Sequence, residues 1–114
     1  MLTYKSYGTE YKIKLEINHY AENNNFALQA FSWEEDLKFW EPFATFTKNL
    51  GVELPEDEAC IDTNNMPDLA DWLVENKIAE PTGYAIPSGY CVYPVFKFDL
   101  NKINAIIAEQ EKEE

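Results

Sequence analysis

The 114-residue chain has nine lysines, no arginine and 21 acidic residues, which gives a formal net charge of −12. This balance argues against a protein that binds DNA or RNA directly, because such proteins need basic side chains on the contact face. The length predicts one domain, and no apolar run is long enough to span a membrane. No signal peptide opens the chain, so we expect a cytoplasmic protein with both cysteines reduced.

The first half of the chain has the alternation of apolar and polar residues that is typical of β-strands. Tyr11 to Ile17 alternates with lysine and glutamate, so residues 2–7 and 11–17 are expected to form a hairpin around Gly8-Thr9. Aromatic and β-branched residues predict further strands, and charged residues predict a loop or short helical turn between them. In order, these segments are Phe26–Trp33 (strand), Glu34–Pro42 (loop or turn) and Phe43–Lys48 (strand).

A helix is predicted after Asn64-Asn65, because these capping residues precede a proline and an acidic residue. Leu69, Trp72 and Leu73 are spaced to share one buried stripe, so we expect the Trp72 ring to pack in the core. The helix should end near Asn76-Lys77, before Pro81 and Gly83.

The last part of the chain predicts a Pro/Gly-rich loop, one long strand and a closing helix. The strand is Tyr90–Phe98, in which Pro94 indicates an edge position or a bulge. Asp99 is expected to cap the closing helix. We therefore predict an α+β fold, a twisted antiparallel sheet of four to six strands with about two helices packed on it, in a single domain of residues 1–108. Residues 109–114 are expected to be a frayed acidic tail.

Acidic residues form the most unusual cluster in the sequence. Residues 53–80 contain nine acids and one lysine. On the predicted helix, three acids recur with helical spacing on the side opposite the apolar stripe, about 5–6 Å apart at Cβ for an i, i+3 pair. This spacing is comparable to that of phosphates along a nucleic-acid strand, so the row can occupy a basic groove, although a solvated face is the simpler reading. The candidate residues are Asp68, Asp71, Glu75, Glu56, Asp57, Glu58 and Asp62.

Phe39-Trp40 is a second candidate site, because two large aromatic residues lie in a charged segment. They are either a plug that closes one end of the sheet or an anchor in an interface. The sequence leaves these alternatives open.

Catalytic and metal-binding patterns are absent from the sequence. His19 is the only histidine, and Cys60 and Cys91 lack metal-ligand spacing. No Walker, Rossmann or nucleophile-elbow motif occurs. We therefore expect no cofactor, no metal and no enzymatic activity.

Three runs carry a family resemblance: EPFATFTKNLGVELPEDEACIDTNN, LVENKIAEPTGY and SGYCVYPVFKFDL, which span Glu41–Asn65, Leu73–Tyr84 and Ser88–Leu100. They resemble a family of small bacterial domains of unknown function carried on conjugative elements and phages. The chain departs from the family pattern at Tyr84-Ala85-Ile86, where a basic residue is commoner. Some mobile-element proteins of this kind look like anti-CRISPR inhibitors of RNA-guided nucleases.

The resemblance and the acidic cluster together predict an inhibitor that acts in the cytoplasm of a bacterial host. Its expected partner is a nucleic-acid-binding defence enzyme with a basic groove, with a CRISPR-associated nuclease as the first candidate. The alternative is a non-catalytic accessory module of a conjugative or phage element, which uses the Phe39-Trp40 segment. The oligomeric state is left open.

Overall fold

The computed structural model of the protein describes residues 2–112, which form an α+β fold. The elements in chain order are β1 (Leu2–Ser6), β2 (Thr9–His19), β3 (Phe26–Glu34), β4 (Phe39–Thr45), β5 (Thr47–Lys48), β6 (Glu58–Ile61), α1 (Leu69–Glu75), β7 (Ala79–Ser88), β8 (Cys91–Phe98) and α2 (Leu100–Lys112). The strands form an N-terminal sheet in the order β1-β2-β3-β4 and a C-terminal sheet in the order β5-β6-β8-β7, both antiparallel. The predicted α+β class, with two helices packed on antiparallel strands, is confirmed, and the strands divide between two sheets of four.

The opening hairpin forms as predicted, but its turn is Tyr7-Gly8 and not Gly8-Thr9, so β2 already begins at Thr9. Tyr7 and Gly8 have φ values of 49° and 83°, and they join Ser6 to its cross-strand partner Thr9. Two residues with positive φ make the tight turn that matches the twist of paired strands. Alternation along β2 then turns Ile13 and its apolar neighbours towards the core.

The segment 34–42, which was predicted to be a loop or helical turn, is instead the end of a second hairpin. β4 already begins at Phe39, and Trp33 lies directly opposite Trp40. Lys38 adopts a φ of 56°, which closes the turn within four residues. The two tryptophan rings pack at 5.3 Å between centroids, so a cross-strand aromatic pair outweighs the charged composition of the segment.

The Pro/Gly-rich segment that was predicted to be a loop forms the edge strand β7. Pro81 and Pro87 can lie in this strand because one side of an edge strand needs no ladder hydrogen bonds. The neighbouring β8 is internal, so an edge position for Pro94 was wrong. The register of β7 against β8 shifts between Pro81 and Ala85, and Ala85 lies opposite Pro94, which agrees with the bulge alternative.

The core lies between the two sheets and under the helices. Phe26 of the N-terminal sheet packs on Phe98 of the C-terminal sheet, with ring centroids 4.9 Å apart. Phe46 lies between β4 and β5 and is fully buried. Its N–H donates to the Leu28 carbonyl, and its carbonyl accepts from the Asp62 N–H, so this residue connects both sheets.

The helix α1 begins at Leu69, later than predicted, and Asp68 is at its N-cap position in place of the predicted Asn64-Asn65. Asn65 instead donates from its backbone and its side chain to Asp62, in a turn that precedes the helix. Trp72 is only partly buried, so the prediction that its ring lies in the core needs correction. Its Nε1 donates to the Thr3 carbonyl at 2.8 Å, which keeps the ring at the border of the core.

The helix α2 begins as predicted, with Asp99 Oδ1 accepting from the Lys102 N–H at 2.9 Å. It continues through Lys112, so residues 109–112, which were assigned to the tail, are helical. The side chain of Gln110 is hydrogen-bonded to the backbone of Leu15 in β2. Residues 113 and 114 of the predicted tail lie outside the described residues.

Candidate functional site

Three acids of the α1 segment lie on the solvent side of the helix, as their spacing predicts. Asp68, Asp71 and Glu75, which we call the α1 row, are all exposed. Leu69 and Leu73 anchor the opposite side of the helix in the core. Within residues 2–112, no ion pair involves an acid of the α1 row, so its charges are not neutralised by lysines of the chain.

Asp68 also lies close enough to the core to affect a buried tyrosine. Burial raises the pKa of the Tyr4 hydroxyl, and the negative charge of Asp68 raises that pKa further. The ring of Tyr4 packs on Trp72 with centroids 5.2 Å apart. The contact between Tyr4 and Trp72 therefore holds α1 against the core.

An open cleft of about 680 Å³ adjoins the carboxyl-terminal end of α1. Glu56 and Asp57 line it together with Val74 of α1, so the structure brings this predicted acidic pair next to the helix. Two further acids, Glu80 and Asp99, line the same cleft and were missed by the sequence reasoning. Pairing of β7 with β8 brings Glu80 there, and the hydrogen bond from the Asp99 N–H to the Ile78 carbonyl places Asp99.

Two lysines partly offset the negative charge of this cleft. Lys77 and Lys97 line it with the four acids, and Lys97 pairs in register with both Glu58 and Glu80 on neighbouring strands. The cleft is thus acidic overall and ends in a mixed-charge row. Glu58 belongs to that row and is partly buried.

Asp62 is separated from the other predicted acids. Both of its carboxylate oxygens accept hydrogen bonds from Asn65. It lines a different depression, which it shares with Tyr20 and Lys48. Its role in the structure is to hold the turn before α1.

The Phe39-Trp40 segment lies in the β3–β4 hairpin. Trp40 packs on Trp33, and the Lys14 Nζ lies 5.3 Å from the Trp40 ring centroid. Neither Phe39 nor Trp40 belongs to the two core clusters, and 43% of Phe39 is exposed. Phe39 is therefore available at the surface of the hairpin, whereas Trp40 is partly buried.

One acid of this hairpin, Glu35, has local hydrogen-bond donors. Glu35 accepts from Lys38 Nζ at 2.9 Å and from Trp33 Nε1 at 2.7 Å. The hydrogen bond from Lys38, followed by that from Trp33, lowers the pKa of the Glu35 carboxyl.

The two cysteines are separate from each other in the chain and differ in burial. Cys60 is buried, which raises the pKa of its thiol, and Cys91 is partly buried. In the part of the chain that the structure describes, no group of three or more His, Cys, Asp or Glu residues could hold a metal ion. No helix within residues 2–112 has the length and apolar character to cross a membrane.

Comparison with known proteins gives one finding. A family model described as a domain of unknown function (DUF4313) matches residues 14–113. No curated protein and no solved structure matches the chain.

Proposed function

Since the chain belongs to the DUF4313 family of domains of unknown function, we propose its function from its surface: it is a stoichiometric inhibitor of a nucleic-acid-binding defence enzyme. The first candidate is a CRISPR-associated nuclease encountered by a mobile element, and the inhibitor acts in the cytoplasm of a bacterial host. The α1 row, extended by Glu56 and Asp57, docks in the groove that otherwise holds nucleic acid. No catalytic step is involved.

The observation that carries this proposal is the unneutralised α1 row. Three exposed carboxylates lie on one side of a helix whose other side is fixed in the core. A row held in this way presents negative charges at set spacing without a large entropic cost when a partner binds. Side chains of the chain's own lysines do not compete for these acids within residues 2–112.

The charge of the whole molecule supports the same proposal. RNA-guided nucleases hold their heteroduplex in a positively charged channel. A protein of net charge −12 is attracted to such a channel over a distance of about one Debye length, roughly 8–10 Å at physiological salt. The attraction accelerates association and disfavours partners with acidic surfaces. The protein itself is expected not to bind DNA or RNA.

The experiment measures binding of the protein to purified RNA-guided nucleases by biolayer interferometry, each with its guide and with or without a duplex that carries the recognition sequence. We expect a one-to-one complex that the duplex prevents and that weakens as salt is raised from about 0.1 to 0.5 M. A complex that forms equally well with duplex bound and at high salt would contradict mimicry of phosphates. Retardation of DNA by the protein alone would contradict it as well.

A second candidate is favoured by the exposed Phe39 and the partly exposed Trp40 of the β3–β4 hairpin. An accessory module of a conjugative or phage element would use Phe39 and Trp40 as anchors, since large aromatic residues are enriched at interface hot spots. Binding through these rings is screened much less by salt than binding through the α1 row. The salt dependence of a captured complex therefore distinguishes the two candidates.

A further inference from the structure

Within residues 2–112, half of strand β2 has a neighbouring strand on one side only. β2 runs from Thr9 to His19, and its pairing with β1 extends only to Ile13 in the described residues. Pairing with β3 continues to His19. Beyond Ile13, β2 is therefore an edge of the N-terminal sheet, and strand edges are ready templates for pairing with another chain.

The side chain of Gln110, near the end of α2, occupies the first position of this edge. Its Oε1 accepts from the Leu15 N–H at 2.7 Å, and its Nε2 donates to the Leu15 carbonyl at 3.1 Å. A carboxamide has the same donor and acceptor as a peptide unit. Gln110 thus makes the two hydrogen bonds that a residue of an added strand would make.

The orientation of Leu15 defines the rest of the edge. Because the backbone groups of Leu15 point away from β3, and a strand repeats every two residues, those of Ile17 and His19 point the same way. No side chain within residues 2–112 is hydrogen-bonded to the backbone of Ile17 or His19. We call Leu15, Ile17 and His19 the β2 edge.

We propose that the β2 edge pairs with the β2 edge of a second copy of this chain when the Gln110 side chain leaves Leu15, and that the Gln110 hydrogen bonds oppose this pairing. An antiparallel two-fold arrangement with Ile17 opposite Ile17 brings all three residues of the edge into hydrogen-bonded pairs. In this register Leu15 of each copy lies opposite His19 of the other. The pairing would join two four-stranded sheets into one, with the same edge contributed by both subunits.

The charges on neighbouring residues favour this register over the alternative. Glu16 of one copy lies opposite Asn18 of the other, and no like charges face each other. A register with Glu16 opposite Glu16 forms only two pairs and places two carboxylates together. The β2 edge is therefore complementary to itself in one register.

Two properties keep the parent protein apart. Pairing requires that the two Gln110 hydrogen bonds of each copy are broken, and each copy carries a charge of −12. The variant Gln110→Ala removes the first obstacle, and about 0.5 M salt screens the second. If circular dichroism shows that Gln110→Ala is not folded, Gln110→Leu takes its place. Leucine keeps the aliphatic part of the side chain and cannot make the two hydrogen bonds.

Sedimentation velocity at this salt concentration measures the dimer dissociation constant. We expect it to fall at least about tenfold in the folded Gln110 variant relative to the parent, since hydrogen bonds no longer oppose pairing. Hydrogen exchange should slow at the amides of Ile17 and His19 when the dimer forms. A folded Gln110 variant that dimerises no more tightly than the parent would overturn the proposal.

The register is tested by charge at position 18 in the Gln110 variant. Asn18 is exposed and lies opposite Glu16 of the second copy, so Asn18→Lys should tighten the dimer and Asn18→Glu should weaken it. The alternative register places residue 18 opposite Lys14, which would reverse this order. Asn64→Lys and Asn64→Glu change the net charge equally at another exposed position, and they should give no such difference.

The identity of the occupant is tested by mixing the parent with a nuclease that it binds. One contradicting result has two parts: hydrogen exchange at the Ile17 amide slows on mixing, and neither Gln110 variant self-associates. The β2 edge would then pair with a strand of the nuclease and not with a second copy. Dimerisation with unchanged exchange at Ile17 would place the contact elsewhere and would also overturn the proposal.

Discussion

The helix α1 and the β3–β4 hairpin both present charged residues beside tryptophan, but they use their charges differently. In the hairpin, Glu35 is bonded to Lys38 and to Trp33, and Lys14 lies over the Trp40 ring. On α1, the tryptophan faces inwards and donates to the Thr3 carbonyl, while the acids remain exposed.

The difference indicates where a charged partner can bind. A carboxylate that already has a local donor gains less from a new cation than one that has none, because the existing bond must be exchanged or shared. The α1 row has no ion pair within residues 2–112, so its charge remains available to a partner. The predictions that follow test this comparison in order of decreasing effect.

Reversal of the α1 row should have the largest effect. The triple variant Asp68→Lys, Asp71→Lys and Glu75→Lys is expected to weaken binding to an inhibited nuclease by at least about 100-fold, because attraction to a basic groove becomes repulsion. Biolayer interferometry measures the change. The melting temperature should move little, since exposed positions tolerate substitution within about 0.5 kcal/mol each.

A matched control separates the position of the charges from their number. Glu10, Asp36 and Glu111 are exposed and have no ion pair within residues 2–112. Changing these three to lysine also alters the net charge from −12 to −6. This control should keep most of the affinity, and equal loss in both triple variants would show that charge alone governs binding.

Truncation of Trp72 should have a large effect on stability. The ring packs on Tyr4 and Phe46, at 5.2 and 5.4 Å between centroids, although it is only partly buried. We expect Trp72→Ala to lower the free energy of unfolding by about 2–4 kcal/mol, somewhat below the range for a fully buried tryptophan. Trp72→Phe keeps the packing and should lose about 1 kcal/mol with the hydrogen bond to Thr3.

Urea denaturation measures both Trp72 variants. An unchanged midpoint for Trp72→Ala would show that α1 is not held by this contact, and the fixed geometry of the α1 row would then lose its support.

Truncation of Trp40 should affect stability modestly and partner binding very little. Trp40→Ala removes the packing on Trp33 and the cation–π contact with Lys14. Together these contribute about 1–2 kcal/mol to the free energy of unfolding. Affinity for an inhibited nuclease should stay within about threefold of the parent. If Trp40→Ala abolishes binding while the α1 variant still binds, the accessory-module function is the better explanation.

The pH dependence of Glu35 should give the smallest effect. Its pKa is lowered in the folded state by the hydrogen bond from Lys38. Because the pKa is lowered on folding, the Glu35 carboxylate stabilises the fold at pH values above its pKa in the unfolded chain, which is near 4.5. This stabilisation is lost as the pH falls through the pKa in the folded protein. The melting temperature of Glu35→Gln should therefore lie slightly below that of the parent at pH 7, and the two should converge in acid. A constant difference across this window would contradict the assignment.

The parts of the fold that could be predicted depend on neighbouring residues in the sequence. Alternation in β2, a hairpin turn at Gly8 and the Asp99 cap are local patterns, and the structure has each of them, with the turn one residue earlier than predicted. β7 could not be predicted, because Pro81 and Pro87 are tolerated only through its place at the edge of a sheet.

The candidate site also combines features that the local sequence predicts with features that depend on long-range contacts. Exposure of the α1 row follows from helical spacing, which the sequence contains. Glu80 and Asp99 join the cleft through long-range contacts, since Glu80 lies opposite Lys97 and the Asp99 N–H donates to the Ile78 carbonyl. Partial exposure of Trp72 likewise depends on the Thr3 carbonyl, which is distant in sequence.

The most direct test of the central claim is zero-length carbodiimide crosslinking of the protein to an inhibited nuclease, followed by mass spectrometry. The reagent joins a carboxylate to a lysine only when the two are in contact. Docking through the α1 row predicts crosslinks from Asp68, Asp71 or Glu75 to lysines that line the nucleic-acid groove, and their loss when duplex is bound first. Crosslinks that involve only acids outside α1 and its adjoining cleft, such as Glu10 or Asp36, would contradict the account.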